Sequence, residues 1–272
     1  MDELKDMFLT VGELQNIGTK MLRAVTEICE REGLHYNMFF GSLLGTVRHH
    51  APIPWDYDID IAVPENELER FVETMQRELP ADYWVDFRSD VSSPKCFARI
   101  GLKGYDTHTC HIDVYRLIGY PDGERKQRRF SKRGMLLLEM RLVKETDLRM
   151  YNKQTQKKKI RRIKLFRTLL KPISSQNIVK RFDKLCKKYP YESADMVGIN
   201  AVHEFCVYKR SMADDSILAD YTDFQVRIPR EFDYILRDMY NEYMKFPPKE
   251  QTDRILSRRY GVYALKPQKN SK

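Results

Sequence analysis

The stretch Pro54-Trp55-Asp56-Tyr57-Asp58-Ile59-Asp60-Ile61 decides how this chain is read. In an extended strand successive side chains point to opposite faces. Asp56, Asp58 and Asp60 would then share one face while Tyr57, Ile59 and Ile61 enter the core. Aspartate is a poor strand former, and three like charges in a row repel unless a cation lies among them. Carboxylate oxygen is the ligand that hard cations such as Mg²⁺ and Mn²⁺ prefer. A solvated acidic edge would show the same alternation of charge. Here Trp55, Ile59, Ile61 and Val63 keep the opposite phase, which marks one face as core.

Upstream, Gly41-Ser42 offers a tight turn whose backbone N–H groups can meet a phosphate. A short helix over Leu43–Arg48 would follow, its N-terminus facing that turn. A glycine turn beside a metal-binding strand has the parts of a phosphoryl-transfer site. A strand over His35–Phe40 would deliver Gly41. Thr10 to Glu13 reads as a capping box, opening a helix with apolar residues from Leu14 to Ile28 at helical spacing and a stop at Gly33. Beyond the acidic strand come a helix near Glu65–Leu79 and strands near Tyr83–Arg88, Lys95–Leu102 and Thr109–Leu117. The expected fold is α+β, a mixed sheet covered by helices.

The run Gly41-Ser42-Leu43-Leu44-Gly45-Thr46-Val47-Arg48-His49-His50, followed by Ile53 to Ile61, resembles the LicD family of phosphotransferases, related to fukutin. That family lies in the polymerase-β-like nucleotidyltransferase superfamily. His111-Ile112-Asp113-Val114 resembles its second acidic strand, and Phe224 to Pro248 its C-terminal signature. Two positions depart from the family pattern: Tyr57 replaces an Asp common in bacterial members, and Asn241 stands where Gly is usual. The resemblance implies a nucleotidyltransferase-like core over 1–120 and a C-terminal part of the catalytic unit over 201–272; residues 121–200 match no family motif and read, from their charge and spacing, as a basic helical insertion or appendage.

Chemistry then assigns roles. Asp58 and Asp60 are expected to bridge Mg²⁺ (or Mn²⁺) to a donor diphosphate, with Asp56 on the same face as a ligand or outer partner. By resemblance, Asp113 supplies a third carboxylate, to hold a second metal or to accept the proton of the attacking hydroxyl. Gly41 and Ser42 are expected at phosphate oxygens. Arg48 and Arg99 are donor-binding candidates, each of which could instead pair with a carboxylate. Of the adjacent His49 and His50, only one can face the site. Asp223 falls near an acid of the family signature.

LicD-like proteins move phosphocholine from CDP-choline onto cell-surface glycans, and relatives use donors such as CDP-ribitol or CDP-glycerol. The resemblance therefore implies transfer of a phospho-alcohol, phosphocholine first, from a CDP-alcohol donor to a hydroxyl of a cell-surface or lipid-linked glycan. A nucleotidyltransferase releasing pyrophosphate is an alternative. So is a non-catalytic module binding an anionic glycan or RNA, against which the three carboxylates argue. A choline site wants aromatic rings, for which Trp55, Tyr57, Tyr83 and Trp84 are candidates.

Composition sets the remaining bounds. A chain of 272 residues, 42% hydrophobic, can bury one large core with an appendage. No apolar run is long enough to span a bilayer and no signal pattern precedes the first helix, so a cytoplasmic protein is expected. The five cysteines are scattered without CxxC spacing, which speaks against zinc and disulfides and for buried thiols. Lys153 to Lys188 holds fourteen Lys or Arg against a single acid, Asp183. Its net +13 exceeds the +9 of the whole chain, leaving −4 elsewhere. Ile160, Ile163, Phe166, Leu169 and Leu170, then Ile178, Phe182 and Leu185, keep helical spacing there. Basic amphipathic helices suit the anionic inner leaflet of a membrane. Nucleic acid is not the expected partner, because the aromatics lie on apolar faces rather than among the basic residues. An ordinary solvated helix face would carry the same charge.

Overall fold

The computed structural model describes residues 8–87, 96–105, 110–146, 148, 156–201, 205–253 and 263–264. Arg88, Lys95, Thr109 and Lys153, at which the sequence reading ends or begins segments, lie outside them. After a two-residue strand β1 (Phe8–Leu9), helix α1 (Val11–Glu32) opens on the expected capping box. Glu13 N–H donates to Thr10 Oγ1 at 3.2 Å and Thr10 N–H to Glu13 Oε2 at 2.6 Å. Gly33, at φ 61, ends the helix in the left-handed region open to glycine.

The central sheet follows from two buried strands. Strand β2 (Asn37–Met38) pairs antiparallel with β3 (Ile59–Pro64), and helix α2 (Phe40–His49) lies between them in sequence. Helix α3 (Leu68–Glu78) leads to β4 (Tyr83–Asp86), β5 (Ala98–Leu102) and β6 (His111–Tyr120). The order is β2-β3-β6-β5-β4, with β3 and β6 parallel and the other pairs antiparallel. The C-terminal end of β6 adds β7 (Met196–Asn200), which pairs with β8 (Phe205–Lys209). The α+β class is as expected. Ile59, Ile61 and Val63 are buried, as their phase requires.

Three local expectations change. Strand β3 begins only at Ile59: Pro54 and Trp55 form a turn closed by Asp56 N–H donating to Ile53 O at 2.8 Å. Proline is a turn former without an N–H for a ladder, so Asp56 leaves the strand face it was expected to share with Asp60. The strand before Gly41 shortens to Asn37–Met38. Helix α2 begins at Phe40, so Gly41 and Ser42 lie in its first turn rather than in a loop before it.

Helix α4 (Glu124–Glu145) was not marked by pattern; α5 (Lys157–Leu169) and α6 (Ser175–Cys186) are the basic helices. Phe130 and Leu138 of α4 join Val179 and Phe182 of α6 and Ile118 and Tyr120 of β6 in a second, smaller core. Further on, α7 (Arg210–Asp214) precedes the hairpin β9 (Ser216–Tyr221) and β10 (Phe224–Pro229), whose β10 lies against β2. Helix α8 (Phe232–Tyr240) then packs on α2, and β11 (Tyr263–Ala264) pairs with β1. All five cysteines are free and buried. Among the described residues no helix is long and apolar enough to cross a membrane.

Arg116 of β6 ties the appendage to the sheet. It is buried, grips Glu65 with Nε and Nη2 at 2.7 and 2.6 Å, and reaches Asp183 of α6 at 2.8 Å. Burial alone would lower its pKa, yet the surrounding acids raise it. Removing one member of a buried ionic group strands the others. Arg116→Leu should therefore cost about 3–5 kcal/mol, read as a fall in urea midpoint. A change below about 1 kcal/mol, the size of an exposed pair, would mean that this cluster does not anchor α6.

Candidate active site

Parallel pairing sets Asp60 of β3 directly beside Asp113 of β6, and antiparallel pairing sets Arg99 of β5 on the other side of Asp113. Paired residues on neighbouring strands point to the same face, so the sequence Asp60, Asp113, Arg99 runs across three strands. Arg99 Nε donates to Asp113 Oδ1 at 2.6 Å, and His111 Nε2 lies 3.1 Å from the same oxygen. Burial raises the Asp113 pKa, but His111 and Arg99 outweigh it and hold the carboxyl below its usual range. Of its two open roles, Arg99 thus takes that of carboxylate partner. The His111 ring is nearly enclosed, and its Nδ1 is buried without a hydrogen-bond partner among the described residues.

Ser42 couples helix α2 to the acidic strand. Its Oγ accepts from Asp60 N–H at 2.8 Å and donates to Asp58 O at 3.4 Å, so the hydroxyl is committed to the protein. The backbone amides of Gly41 and Ser42 lie in the first helical turn, where N–H groups have no intrahelical acceptor. A Cβ on Gly41 would stand 3.2 Å from Asp56 Oδ2, so glycine lets that carboxylate approach the helix end. Asp56 Oδ1 in turn accepts from Asp58 N–H at 3.4 Å. Asp58 is exposed at the mouth of the strand.

Two residues along β6 from Asp113, Tyr115 stacks on Phe97 at 5.1 Å between centroids and meets Phe40 edge-on at 5.1 Å. Burial, and then the charges of Asp60 and Asp113, raise its phenol pKa. Sequence reasoning passed over Tyr115, although its place at i+2 from Asp113 was the signal.

A groove of ≈ 810 Å³ runs beside this cluster, lined by Gly41, Arg48, Trp55, Asp56, Tyr243 and Phe246 among others. Arg48 lines this groove and turns to the C-terminal segment rather than to a carboxylate. Its Nη1 donates to Tyr243 O at 2.8 Å, and its guanidinium carbon lies 4.9 Å from the Phe246 ring and 5.9 Å from the Trp55 ring. Burial lowers the Arg48 pKa. His49, not His50, meets the same rings edge-on, at 5.4 Å from Phe246 and 6.1 Å from Trp55. Burial and then Arg48 push the His49 pKa down. His50 instead caps α2 at φ 51, its carbonyl accepting from Thr222 N–H. Phe246 was not singled out, although it sits in the quoted C-terminal signature.

Other candidates lie elsewhere. Tyr83 and Trp84 are on β4, separated from β3 by β6 and β5, and Trp84 Nε1 donates to Leu102 O at 3.1 Å. Asp223 sits at the tip of the β9–β10 hairpin, exposed and paired with Arg23.

Among the described residues no three His, Cys, Asp or Glu side chains converge on a metal position. The in-register pair Asp60 and Asp113 nonetheless has the chemistry for Mg²⁺. That ion is ordinarily held by one or two carboxylates with substrate phosphates and water completing the shell.

A mixed sheet carrying acids on two adjacent parallel strands, beside the N-terminus of a short helix, defines a nucleotidyltransferase-type domain. Residues 33–122 match the family described as LicD/FKTN/FKRP, nucleotidyltransferase domain. The chain is also 23% identical over 261 residues to "Lipopolysaccharide cholinephosphotransferase LicD" of Haemophilus influenzae, covering 89% of this chain and 94% of that protein. A segment of 41 residues is 46% identical to "Ribitol 5-phosphate transferase FKRP" of Mus musculus and of Homo sapiens, covering 15% of this chain and 8% of each of those. Residues 33–122 are thus similar to the LicD/FKTN/FKRP nucleotidyltransferase domain, and the likeness to a LicD protein runs through most of the chain.

Arg99 offers a test of the electrostatics. A carboxyl with a depressed folded-state pKa contributes stability that is present above its unfolded pKa and lost as pH falls through the folded value. Arg99→Gln should raise the Asp113 pKa and lower stability at neutral pH. The gap from the unaltered protein should close as pH drops below the usual carboxylate range. Urea unfolding across pH 3–7 reads this, and a gap independent of pH would remove Asp113 as the partner that matters.

Proposed function

We propose that this protein is a divalent-cation-dependent phosphotransferase that moves a phospho-alcohol, phosphocholine first, from a CDP-activated donor to a hydroxyl of a cell-surface or lipid-linked glycan. The observation that carries this reading is the side-by-side placement of Asp60 and Asp113 next to the first turn of α2. Similarity to proteins named for cholinephosphate and ribitol 5-phosphate transfer supports it.

Asp60 and Asp113 would hold Mg²⁺ or Mn²⁺ together with donor phosphate and water, and the exposed Asp58, whose N–H donates to Asp56, would stand at the mouth of the site. The cation, when bound, neutralises the donor diphosphate and polarises the phosphorus that is attacked. The first-turn amides of Gly41 and Ser42 would meet phosphate oxygens. An acceptor oxygen attacks the phosphorus bearing the alcohol, the bond to CMP breaks, and the hydroxyl proton leaves to a base or to water. Asp113 suits the ligand role better than that of base. Arg99 and His111 lower its basicity, whereas a general base works best with a pKa near the operating pH. A quaternary ammonium would lie against Trp55 and Phe246, rings that line the groove and already lie within cation–π reach of the Arg48 guanidinium.

Asp60→Asn should lower turnover by at least about 10³-fold, on the scale of losing an electrostatic contact to the reacting group, with the fold intact by circular dichroism. Asp113→Asn should weaken Mg²⁺-dependent donor binding in calorimetry together with rate; loss of rate alone would return it to the role of base. Product analysis decides the reaction: CMP release is expected, and pyrophosphate release from an NTP would identify a nucleotidyltransferase instead.

The choice of alcohol has its own test. Phe246→Ala should raise KM for CDP-choline by about 5-fold or more, the scale of an exposed to partly desolvated cation–π contact, and leave KM for CDP-ribitol nearly unchanged. An equal rise for both donors would show that the ring serves the groove and not the ammonium group.

A further inference from the structure

The appendage presents a surface that the transfer reaction leaves unexplained. On α5, seven of the thirteen residues are Lys or Arg and none is acidic. Its apolar residues are not hidden as an ordinary amphipathic helix would hide them. Ile163 is buried, but Leu165 is 60% exposed, Phe166 44% and Leu169 65%. Arg162, Leu165, Phe166 and Leu169 follow the i, i+3, i+4, i+7 spacing that places them on one stripe. The stripe is basic at its start and apolar at its end. The Arg162 guanidinium carbon lies 5.9 Å from the Phe166 ring, spanning the junction.

Helix α4 continues this surface. Its Leu136 and Leu142 are 57% and 50% exposed. Between the two helices lies a groove of ≈ 730 Å³ with Leu136, Met140, Val143 and Phe166 in its walls, Lys158 and Arg162 at its edge, and Glu139 as its acidic lining residue. A solvated basic face has no reason to expose this much large apolar surface on one side. An RNA-binding face would need rings set among the charges for stacking, and here Phe166 is the one ring along α5.

We propose that the α4–α5 face docks on an anionic phospholipid surface, with Leu165, Phe166 and Leu169 entering the headgroup–acyl boundary and the exposed lysines and arginines of α5 meeting lipid phosphates. Charge complementarity selects this occupant. A surface both strongly cationic and apolar fits an interface with negative headgroups above hydrocarbon, and each basic residue near such a surface adds to the attraction. The proposal does not depend on which phospho-alcohol is transferred, so either can fail alone.

Co-sedimentation with phosphatidylcholine vesicles, with and without phosphatidylglycerol, tests it. The intact chain should pellet with the mixed vesicles and lose binding steeply with added salt. Replacing Leu165, Phe166 and Leu169 by Ser should weaken the partition coefficient by about tenfold or more, the scale of several buried methylene groups. Replacing Lys157, Lys158, Lys159, Arg161 and Arg162 by Gln should weaken it at least as much at low salt. Thermal unfolding of the serine variant should match the parent, since those side chains are exposed. Equal binding of the serine variant, or equal binding to neutral vesicles, would overturn the proposal. Retention on RNA without vesicle binding would reassign the face to nucleic acid. A dimer in size-exclusion chromatography that the serine variant dissolves would reassign it to self-association.

Discussion

The parallel pairing of β3 with β6 is the constraint on which the site rests. A strand has period two, so a one-residue slip of this register would send Asp60 and Asp113 to opposite faces. Apolar residues on the other phase prevent the slip: Ile59, Ile61, Ile112 and Val114 are almost fully buried, and moving them to the polar face would expose four core side chains. The core thereby sets the spacing of two carboxylates that repel each other. Ser42 adds a local lock, because its hydroxyl accepts from Asp60 N–H while its own backbone belongs to α2. Helix end and acidic strand are positioned as one unit.

Strand β6 serves two purposes through its alternation. His111, Asp113 and Tyr115 occupy one phase and meet the site, whereas Arg116 on the other phase binds Glu65 and Asp183. Asp183, the single acid in the basic window, thus adds an ionic tie to the apolar packing that fastens that window to the sheet. Burial of Arg116 is offset by two carboxylates, while burial of Asp113 is offset by Arg99 and His111. Asp113 has a counter-charge on β5 and Arg116 one on α6, which makes these ion pairs specific about which elements touch.

Much of this was legible in the chain. The capping box at Thr10, the buried phase of β3 and the acid in His111-Ile112-Asp113 depend on local spacing, and local spacing is what a sequence displays. Asp56 was misplaced because alternation continues through a turn whenever proline, not pattern, ends the strand. Helix α4 escaped notice because its buried side is sparse, with Phe130 and Leu138 set among arginines and lysines. The contact of Arg48 with Tyr243 and Phe246 joins residues nearly two hundred positions apart and leaves no periodic trace. On α5 the apolar spacing was visible, but spacing cannot say whether a stripe is covered by a neighbour or left open.

Charge is divided unevenly between the two parts of the molecule. The residues outside Lys153–Lys188 carry a net −4 and include the acids around Asp60, so that part has no net positive charge with which to draw in a diphosphate. Under the proposed function a divalent cation would reverse the local sign there, a part that a cluster of lysines plays in other phosphate sites. The basic window needs no such intermediary for an anionic surface. A molecule with one acidic and one strongly basic part would turn in the field of a negative interface, bringing the basic part forward and keeping the acids back from the headgroups. Orientation of this kind follows from charge placement alone and acts over about a Debye length before any apolar contact forms. The exposed side chains of α5 would then convert a steered approach into a docked one.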